Sequence, residues 1–260
     1  MKSNYIFSKT VQLNNTLKLQ CDDLYNRCCN NDNLKHSYCL EDEFDILPEA
    51  PRLYYVNSNE QLLGFLSVYI IDSNSVEISI FVHPDRRHEH IGQQLFNSFS
   101  KDYKTFNIEI SVQPNNRIGI YFLQKNNFSY VSTELLMHVQ LNTFKPPENS
   151  GSFELITDNS SEYYYIHEGL EIVYCRISKF NDDFIFISDV ETLKEYRGKG
   201  YGYQFLQELL YNLSHLYTGA LLHVSKENIP AYNLYRKLGF EIKDSSITYT
   251  CLLYTSPSPR

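Results

Sequence analysis

The chain has 260 residues, 42% of them hydrophobic, and a formal net charge of −8 at pH 7. This length suits one large domain or two small ones. The negative charge, without any run of basic residues, argues against a nucleic-acid partner, because phosphate binding needs clustered cations. No segment predicts a signal peptide or a membrane span, so a cytoplasmic protein without membrane contact is expected.

The first half of the chain predicts a leading helix followed by alternating strands and helices. Residues 12–29 are expected to form the helix, and residues 53–71 a hairpin that turns at residues 57–60. Apolar residues at strand and helix spacing then alternate along the chain. In order, the expected elements are a strand at 75–82, a helix from Ile91, a strand at 107–112, a helix from Arg117 and a strand at Phe128.

A turn-forming segment separates the two halves. Pro146 and Pro147 cannot continue a helix or a central strand, and residues 149–152 (Asn-Ser-Gly-Ser) are typical of turns. We therefore expect one domain over residues 1–145 and a second over residues 151–250. Residues 251–260 resemble the conceptual translation of a sequencing adapter and are expected to be a non-native tail.

The second half predicts the same order of elements as the first. A strand at 185–192 leads into a glycine-rich turn, and the apolar residues after Tyr201 have helical spacing. Pro230 suits the first turn of a later helix, because the missing amide there costs no hydrogen bond. The remaining expected elements are a strand at 220–224, a helix at 229–238 and a strand at 240–242.

The sequence also contains an internal repeat. Arg87 and Gly92 recur as Arg197 and Gly202, in each case 110 residues later. A second matched pair of motifs follows, with an offset of 112 residues, at 116–128 and 228–240. The segments before the loop arginine differ in length: 86 residues precede Arg87, whereas 46 residues lie between Ser150 and Arg197. Two diverged copies of one domain are therefore expected.

The glycine-rich turn at residues 197–202 (Arg-Gly-Lys-Gly-Tyr-Gly) lies between a predicted strand and a predicted helix. Glycines let the backbone approach a ligand closely, and the free amides of a helix N-terminus favour an anion such as a pyrophosphate. The spacing is not that of a dinucleotide-binding turn. Taken alone, the turn could equally be a tight connection without a ligand.

Together, the motif Arg197-x-x-Gly200-x-Gly202 and the segment 228–240 resemble the GCN5-related N-acetyltransferase superfamily. The resemblance is strong over residues 184–242 and weaker in the first domain. It implies an α/β (α+β) fold of two tandem acetyltransferase-like domains, each a splayed mixed β-sheet flanked by helices. It also implies an acyl-CoA-dependent N-acyltransferase, with acetyl-CoA as cosubstrate and a primary amine of a small molecule or peptide as acceptor.

The same resemblance assigns the site residues. The loop would bind the pyrophosphate of coenzyme A, the strand before it would pair with the pantetheine arm, and Asn228 would contact the cofactor. Tyr235 would protonate the departing thiolate, a role that a neutral phenol can fill. The implied cofactor-binding residues are Val190, Thr192, Arg197, Gly198, Lys199, Gly200, Tyr201, Gly202 and Asn228.

The general base is less well defined. Asp189 and Glu191 are two residues apart on a predicted strand, which places them on one face. Either could accept the amine proton, and either could be a solvated surface carboxylate. Tyr235 could likewise be a packing residue, since the chain has 22 tyrosines.

The first domain departs from the family pattern at key positions. His90 replaces Gly200 and His88 replaces Gly198, which puts rings into a loop that needs bare backbone. Leu123 replaces Tyr235, so the phenol is missing. We expect a degenerate copy that does not catalyse transfer. His83, His88 and His90 lack a fourth ligand, so no metal site is expected.

Two functions remain open for the whole chain. The first is the acetyl-transferring enzyme. The second is a non-catalytic acyl-CoA-binding or regulatory module built from two diverged copies. No motif supports aminoacyl transfer.

Overall fold

The computed structural model describes residues 5–34, 38, 47–146, 154–157 and 161–253, with 154–157 as backbone only. The chain forms two compact units. The first unit comprises the chain up to Val131 together with the segment from Ser246 onward, and the second unit is Ser132–Ser245. Each unit has its own hydrophobic core. Among the described residues, no helix combines the length and apolarity needed to cross a bilayer.

The elements follow the predicted order. The helices are α1 (Asn15–Asp32), α2 (Ile91–Asp102), α3 (Arg117–Lys125), α4 (Tyr201–Leu213) and α5 (Ile229–Lys237). The strands are β1 (Ile6–Thr10), β2 (Leu53–Ser58), β3 (Gln61–Ile70), β4 (Ser75–Val82), β5 (Asn107–Val112), β6 (Ser129–Gln140), β7 (Glu154–Thr157), β8 (Glu162–His167), β9 (Leu170–Lys179), β10 (Phe184–Thr192), β11 (Gly219–Ser225) and β12 (Glu241–Leu252).

The first unit has the strand order β1-β2-β3-β4-β5-β12. Its strands β4 and β5 are parallel but pair only from Ser75 to Glu77, after which they diverge. Neighbouring residues on β2 point to opposite faces of the sheet. Tyr54 packs into the core with α2, whereas Leu53 packs into a second cluster with α1. Helices therefore cover both faces of this sheet.

The second unit has the strand order β6-β11-β10-β9-β8-β7. Helix α4 packs its buried stripe against one face of this sheet, where it meets Val173, Cys175 and Ile177 of β9. Apolar residues at i, i+4 and i+8 create that stripe. The buried residues of α4 are Phe205, Leu206, Leu209, Leu210 and Leu213.

No counterpart of α1 exists in the described part of the second unit. Strands β7 and β8 are joined by only residues 158–161, whereas α1 lies between β1 and β2 of the first unit. The shorter leading segment seen in the sequence therefore corresponds to a missing helical layer. Tyr174 and Arg176 alternate with the core residues of β9, so they lie on the face that lacks such a helix.

The division into units differs from the expected segmentation. Strand β6 follows the last helix of the first copy, yet it pairs with β11 of the second unit. Strand β12 follows the last helix of the second copy, yet its residues from Ile247 pair with β5 of the first unit. Sequence breakpoints at Pro and Gly cannot reveal such an exchange, because strand pairing is set by distant residues.

The splayed mixed sheets and flanking helices confirm the predicted fold class. Strands β1, β7, β8 and β9 were not predicted, although Tyr163–Tyr165 and the Glu168-Gly169 turn carry a hairpin signal. Residues Cys251 and Leu252, expected in the tail, are part of β12. The rest of the expected tail from residue 254, and the expected boundary at 149–152, lie outside the described residues.

Candidate active site

The second unit contains a cleft between two diverging parallel strands. Strands β10 and β11 pair only over Phe184–Ile187 and Gly219–Leu222. Beyond Ile187 they separate, so the β10 edge from Ser188 to Thr192 is no longer bonded to β11. Unpaired strand edges present free N–H and C=O groups. An extended ligand can pair with this edge as an added strand would.

Strand β10 carries a bulge at the start of this cleft. Its pairing with β9 shifts register between Ser188 and Glu191, and Asp189 has a positive φ of 52°. A left-handed backbone at a non-glycine residue is strained, and such strain persists where the surrounding structure enforces it. The corresponding strand β4 of the first unit pairs with β3 without a register shift.

The glycine-rich loop follows β10 and shapes the N-terminus of α4. Gly198 and Gly200 have φ values of +75° and +89°, which glycine adopts without strain. A Cβ added at either position would meet no atom within 4 Å. The loop therefore presents its backbone to open space.

The backbone amides of this loop are available for an anion. Among the described residues, the amides of Gly198, Lys199, Gly200 and Gly202 have no hydrogen-bond acceptor, and no side chain caps α4. Successive free amides at a helix N-terminus, together with the helix dipole, favour bound phosphate.

Arg197 anchors the loop to the end of β10. Its Nε donates to the carbonyl oxygen of Thr192 at 2.8 Å. The terminal guanidinium nitrogens form no ion pair within the described chain, and the side chain is exposed. Arg197 therefore fixes the loop and still offers positive charge to a ligand.

Tyr235 lies in the core of the second unit, with 6% of its surface exposed. Its ring packs against Phe240 at 5.8 Å between centroids. Burial, and to a lesser extent Cys175, raise the pKa of Tyr235 to about 12. Cys175 lies opposite the bulge, between the residues that pair with Ser188 and Glu191. The phenol therefore lies beside the cleft and stays protonated at neutral pH.

The two candidate bases have different surroundings. Asp189 accepts a hydrogen bond from Arg176 at 3.0 Å, and Arg176 also binds Glu162. Glu191 is exposed and has no ion pair or side-chain hydrogen bond within the described residues. After the register shift Glu191 lies opposite Tyr174, and Asp189 binds Arg176, so both carboxylates lie on the sheet face that carries Tyr174 and Arg176. Arg176 was not singled out in the sequence.

The other assigned residues surround the loop. Val190 and Thr192 are half-buried on the cleft edge of β10, and Tyr201 is the first residue of α4. Lys199 is exposed, with its ammonium 5.4 Å from the ring of Tyr196. Asn228 caps α5 through a bond from the Ala231 amide at 3.3 Å, which gives it a structural role as well.

The first unit keeps the backbone shape of the loop but not its chemistry. His88 and His90 have φ values of 65° and 62°, so both adopt the left-handed conformation of the matching glycines. What changes is that imidazole rings replace open space, at a backbone cost of roughly 1–2 kcal/mol per residue.

The loop arginine of the first unit is already paired. Arg87 donates two hydrogen bonds to the Asp32 carboxylate at the end of α1, both at 2.7 Å. Burial alone raises the pKa of Asp32, but hydrogen bonds from Arg87 and Asn31 outweigh it, so the pKa is lowered. The charge of Arg87 is thus neutralised by the Asp32 carboxylate, whereas Arg197 has no carboxylate partner among the described residues.

Replacing Arg197 with alanine is expected to weaken coenzyme A binding by about 1–3 kcal/mol, because an open positive charge and a loop anchor are lost. Calorimetric titration with coenzyme A measures this change. The matched Arg87→Ala variant should bind coenzyme A normally but unfold at a lower temperature, because Asp32 loses its partner. Equal losses of affinity in both variants would contradict the assignment.

Splayed parallel strands followed by an amide-lined loop define an acetyltransferase-type fold. The sequence matches the Acetyltransferase (GNAT) family twice, over residues 18–128 and 134–240. Because these matches span most of the chain, the protein belongs to that family. No curated protein matches the chain in sequence.

Several solved structures share the fold at low sequence identity. A GCN5-related N-acetyltransferase from Sphaerobacter thermophilus has a TM-score of 0.74 and 13% identity, over 97% of each chain. A tandem GNAT protein from the clavulanic acid biosynthesis pathway has a TM-score of 0.64 and 16% identity, over 98% of this chain and 100% of that one. A glucosamine N-acetyltransferase region of a fungal multi-domain GH3 β-N-acetylglucosaminidase has a TM-score of 0.65 and 12% identity, over 96% of this chain and 38% of that one.

Proposed function

We propose that the chain is an acyl-CoA-dependent N-acyltransferase that transfers acetyl from acetyl-CoA to a primary amine, with the cosubstrate held by the second unit. The supporting observation is that the loops at residues 87–92 and 197–202 share a backbone conformation but differ in their side chains. The loop of the second unit combines bare glycines, open amides and an arginine that has no carboxylate partner among the described residues. The loop of the first unit has two imidazoles and a paired arginine.

The residues of the second unit fit coenzyme A. The open amides of Gly198, Lys199, Gly200 and Gly202 and the charge of Arg197 suit the pyrophosphate. The edge of β10 at Val190 and Thr192, which does not pair with β11, suits the amide groups of pantetheine, and the Thr192 carbonyl oxygen on it already accepts from Arg197. When bound, acetyl-CoA supplies the thioester that carries the acetyl group.

Two groups of the chain would move protons during transfer. Tyr235 would donate its phenolic proton to the departing sulfur, and its raised pKa keeps that proton in place at neutral pH. Glu191 would accept the proton that the attacking amine loses, directly or through water. Asp189 is the weaker candidate, because Arg176 already holds its carboxylate.

The acceptor is proposed to be an amine on a small molecule or a peptide. The helix-free sheet face exposes Arg176, and the half-buried rings of Tyr164 and Tyr174 lie 5.2 Å apart on it. The carboxylate of Glu162 accepts hydrogen bonds from both tyrosines. One structural neighbour is named a glucosamine N-acetyltransferase region, and glucosamine carries a primary amine.

Particular observations favour the second candidate, a non-catalytic acyl-CoA-binding module. Tyr235 is nearly buried, and Asp189 is engaged in an ion pair. The described part of the second unit also has no counterpart of α1. A binding module needs the loop and the cleft but neither proton-transferring group.

Turnover separates the two candidates. The full chain is mixed with acetyl-CoA and a panel of primary amines, and free thiol is followed with a chromogenic disulfide. The proposed enzyme releases thiol only when a suitable amine is present, and the acetylated amine is recovered by mass spectrometry. Tight binding of acetyl-CoA with no thiol release across monoamines, polyamines, amino sugars and peptides would instead establish the binding module.

A further inference from the structure

A lysine of α5 lies over an aromatic ring of α4, next to the glycine-rich loop. A Cβ at Gly202 would lie 3.6 Å from Leu234, so α5 runs beside the first turn of α4. The next residue along α4 is Tyr203, and Lys237 lies one turn beyond Leu234. The Lys237 ammonium is 4.3 Å from the centroid of the Tyr203 ring. This cation–π contact places a positive charge close to the loop.

No carboxylate of the described residues neutralises this lysine. Within the described residues Lys237 makes no salt bridge, and its side chain is exposed. The adjacent Arg236 instead donates to the Phe240 carbonyl oxygen at 3.3 Å. In a chain with a formal net charge of −8, a positioned cation without a counter-ion is suited to an anion from outside the protein.

The first unit lacks this arrangement at the matching position. Gln93 stands in place of Tyr203, and its amide nitrogen donates to Asn126 at 2.8 Å and to Asn97 at 3.1 Å. Lys125 occupies the place of Lys237 but has no aromatic ring beneath it in the described structure. The ring and lysine pair therefore belongs to the copy with the open loop.

We propose that Lys237, positioned by Tyr203, binds the 3′-phosphate of coenzyme A and makes the second unit selective for coenzyme A over dephospho-coenzyme A. This inference rests on the proposed function. Coenzyme A carries a pyrophosphate and a separate phosphate on its ribose. The open amides and Arg197 suit the pyrophosphate, which leaves the ribose phosphate to be paired by another cation. Lys237 contacts the ring of Tyr203, which directly follows Gly202 at the end of the loop.

Binding of two ligands to three proteins tests the proposal. Coenzyme A and dephospho-coenzyme A differ only in the 3′-phosphate, so the ratio of their dissociation constants isolates that group. The wild-type chain should prefer coenzyme A by about tenfold or more, as one charge-assisted contact allows. Lys237→Gln should bring this ratio close to one and leave the affinity for dephospho-coenzyme A unchanged. Lys125→Gln is the matched control and should keep the wild-type ratio.

Further variants separate a charge effect from a structural one. Lys237→Arg should restore most of the preference, and Tyr203→Leu should reduce it by releasing the lysine. Lys199→Gln changes the loop itself and should weaken the binding of both ligands by the same factor. The assignment of Lys237 is overturned if Lys237→Gln keeps the wild-type ratio of dissociation constants. It is also overturned if this variant loses affinity for both ligands equally. A wild-type chain that binds neither ligand overturns the proposed function and this inference with it.

Discussion

Replacing Tyr235 with phenylalanine is expected to lower kcat by about 10²–10⁴-fold and to leave the affinity for acetyl-CoA nearly unchanged. The substitution removes only a hydroxyl, and that hydroxyl has no hydrogen-bond partner among the described residues. The ring still fills its place against Phe240. Steady-state kinetics with the best amine, together with calorimetric binding of acetyl-CoA, measures both quantities.

The control for this variant lies on the same helix. Tyr232 is half-buried and packs against the same core, but it does not match the family's acid position. Tyr232→Phe should therefore retain wild-type kcat. If Tyr235→Phe is fully active, the tyrosine is a packing residue, and water or another group supplies the proton.

Exchanging the residues that distinguish the two loops should have the second large effect. Gly200→His should weaken coenzyme A binding by at least about tenfold, because an imidazole would fill the space in front of the open amides. His90 shows that histidine can adopt this backbone conformation. The variant should therefore fold, with a stability loss of roughly 1–2 kcal/mol. Titration calorimetry and thermal unfolding together separate the two effects.

The reverse exchange in the first unit is the matched control. His90→Gly should leave the affinity for coenzyme A unchanged, and it should raise thermal stability slightly by relieving a strained backbone. Arg87 remains paired with Asp32, so opening this loop alone does not free its charge. The proposal that only the second unit binds coenzyme A would be contradicted by an unchanged affinity for coenzyme A in Gly200→His. A second molecule of coenzyme A bound by His90→Gly would contradict it too.

Local patterns allowed much of the fold to be predicted from the sequence. Strand β4 and strand β5 have the predicted bounds, and α4 begins at the predicted residue, Tyr201. These elements follow from the period of the apolar residues and from Gly and Pro signals. The loop residues proposed for the candidate site come from the internal repeat, in which Arg197 and Gly202 have the spacing of Arg87 and Gly92.

Features that depend on distant residues were not predictable. The exchange of β6 and β12 depends on which edge each strand meets, and the bulge at Asp189 depends on the register of β9. The pairing of Arg87 joins residues that are 55 positions apart. The left-handed backbone at His88 was also hidden, because histidine rarely adopts it. Of these features, the bulge at Asp189 and the pairing of Arg87 with Asp32 distinguish the two copies.

Amide hydrogen exchange, with and without acetyl-CoA, tests the central claim most directly. The method reads the protection of each loop in the intact chain, without any substitution. If the second unit holds the cosubstrate, acetyl-CoA should slow exchange over residues 188–204 and leave residues 78–94 unchanged. Slowed exchange at 78–94 alone, or no change in either segment at saturating acetyl-CoA, would contradict the account.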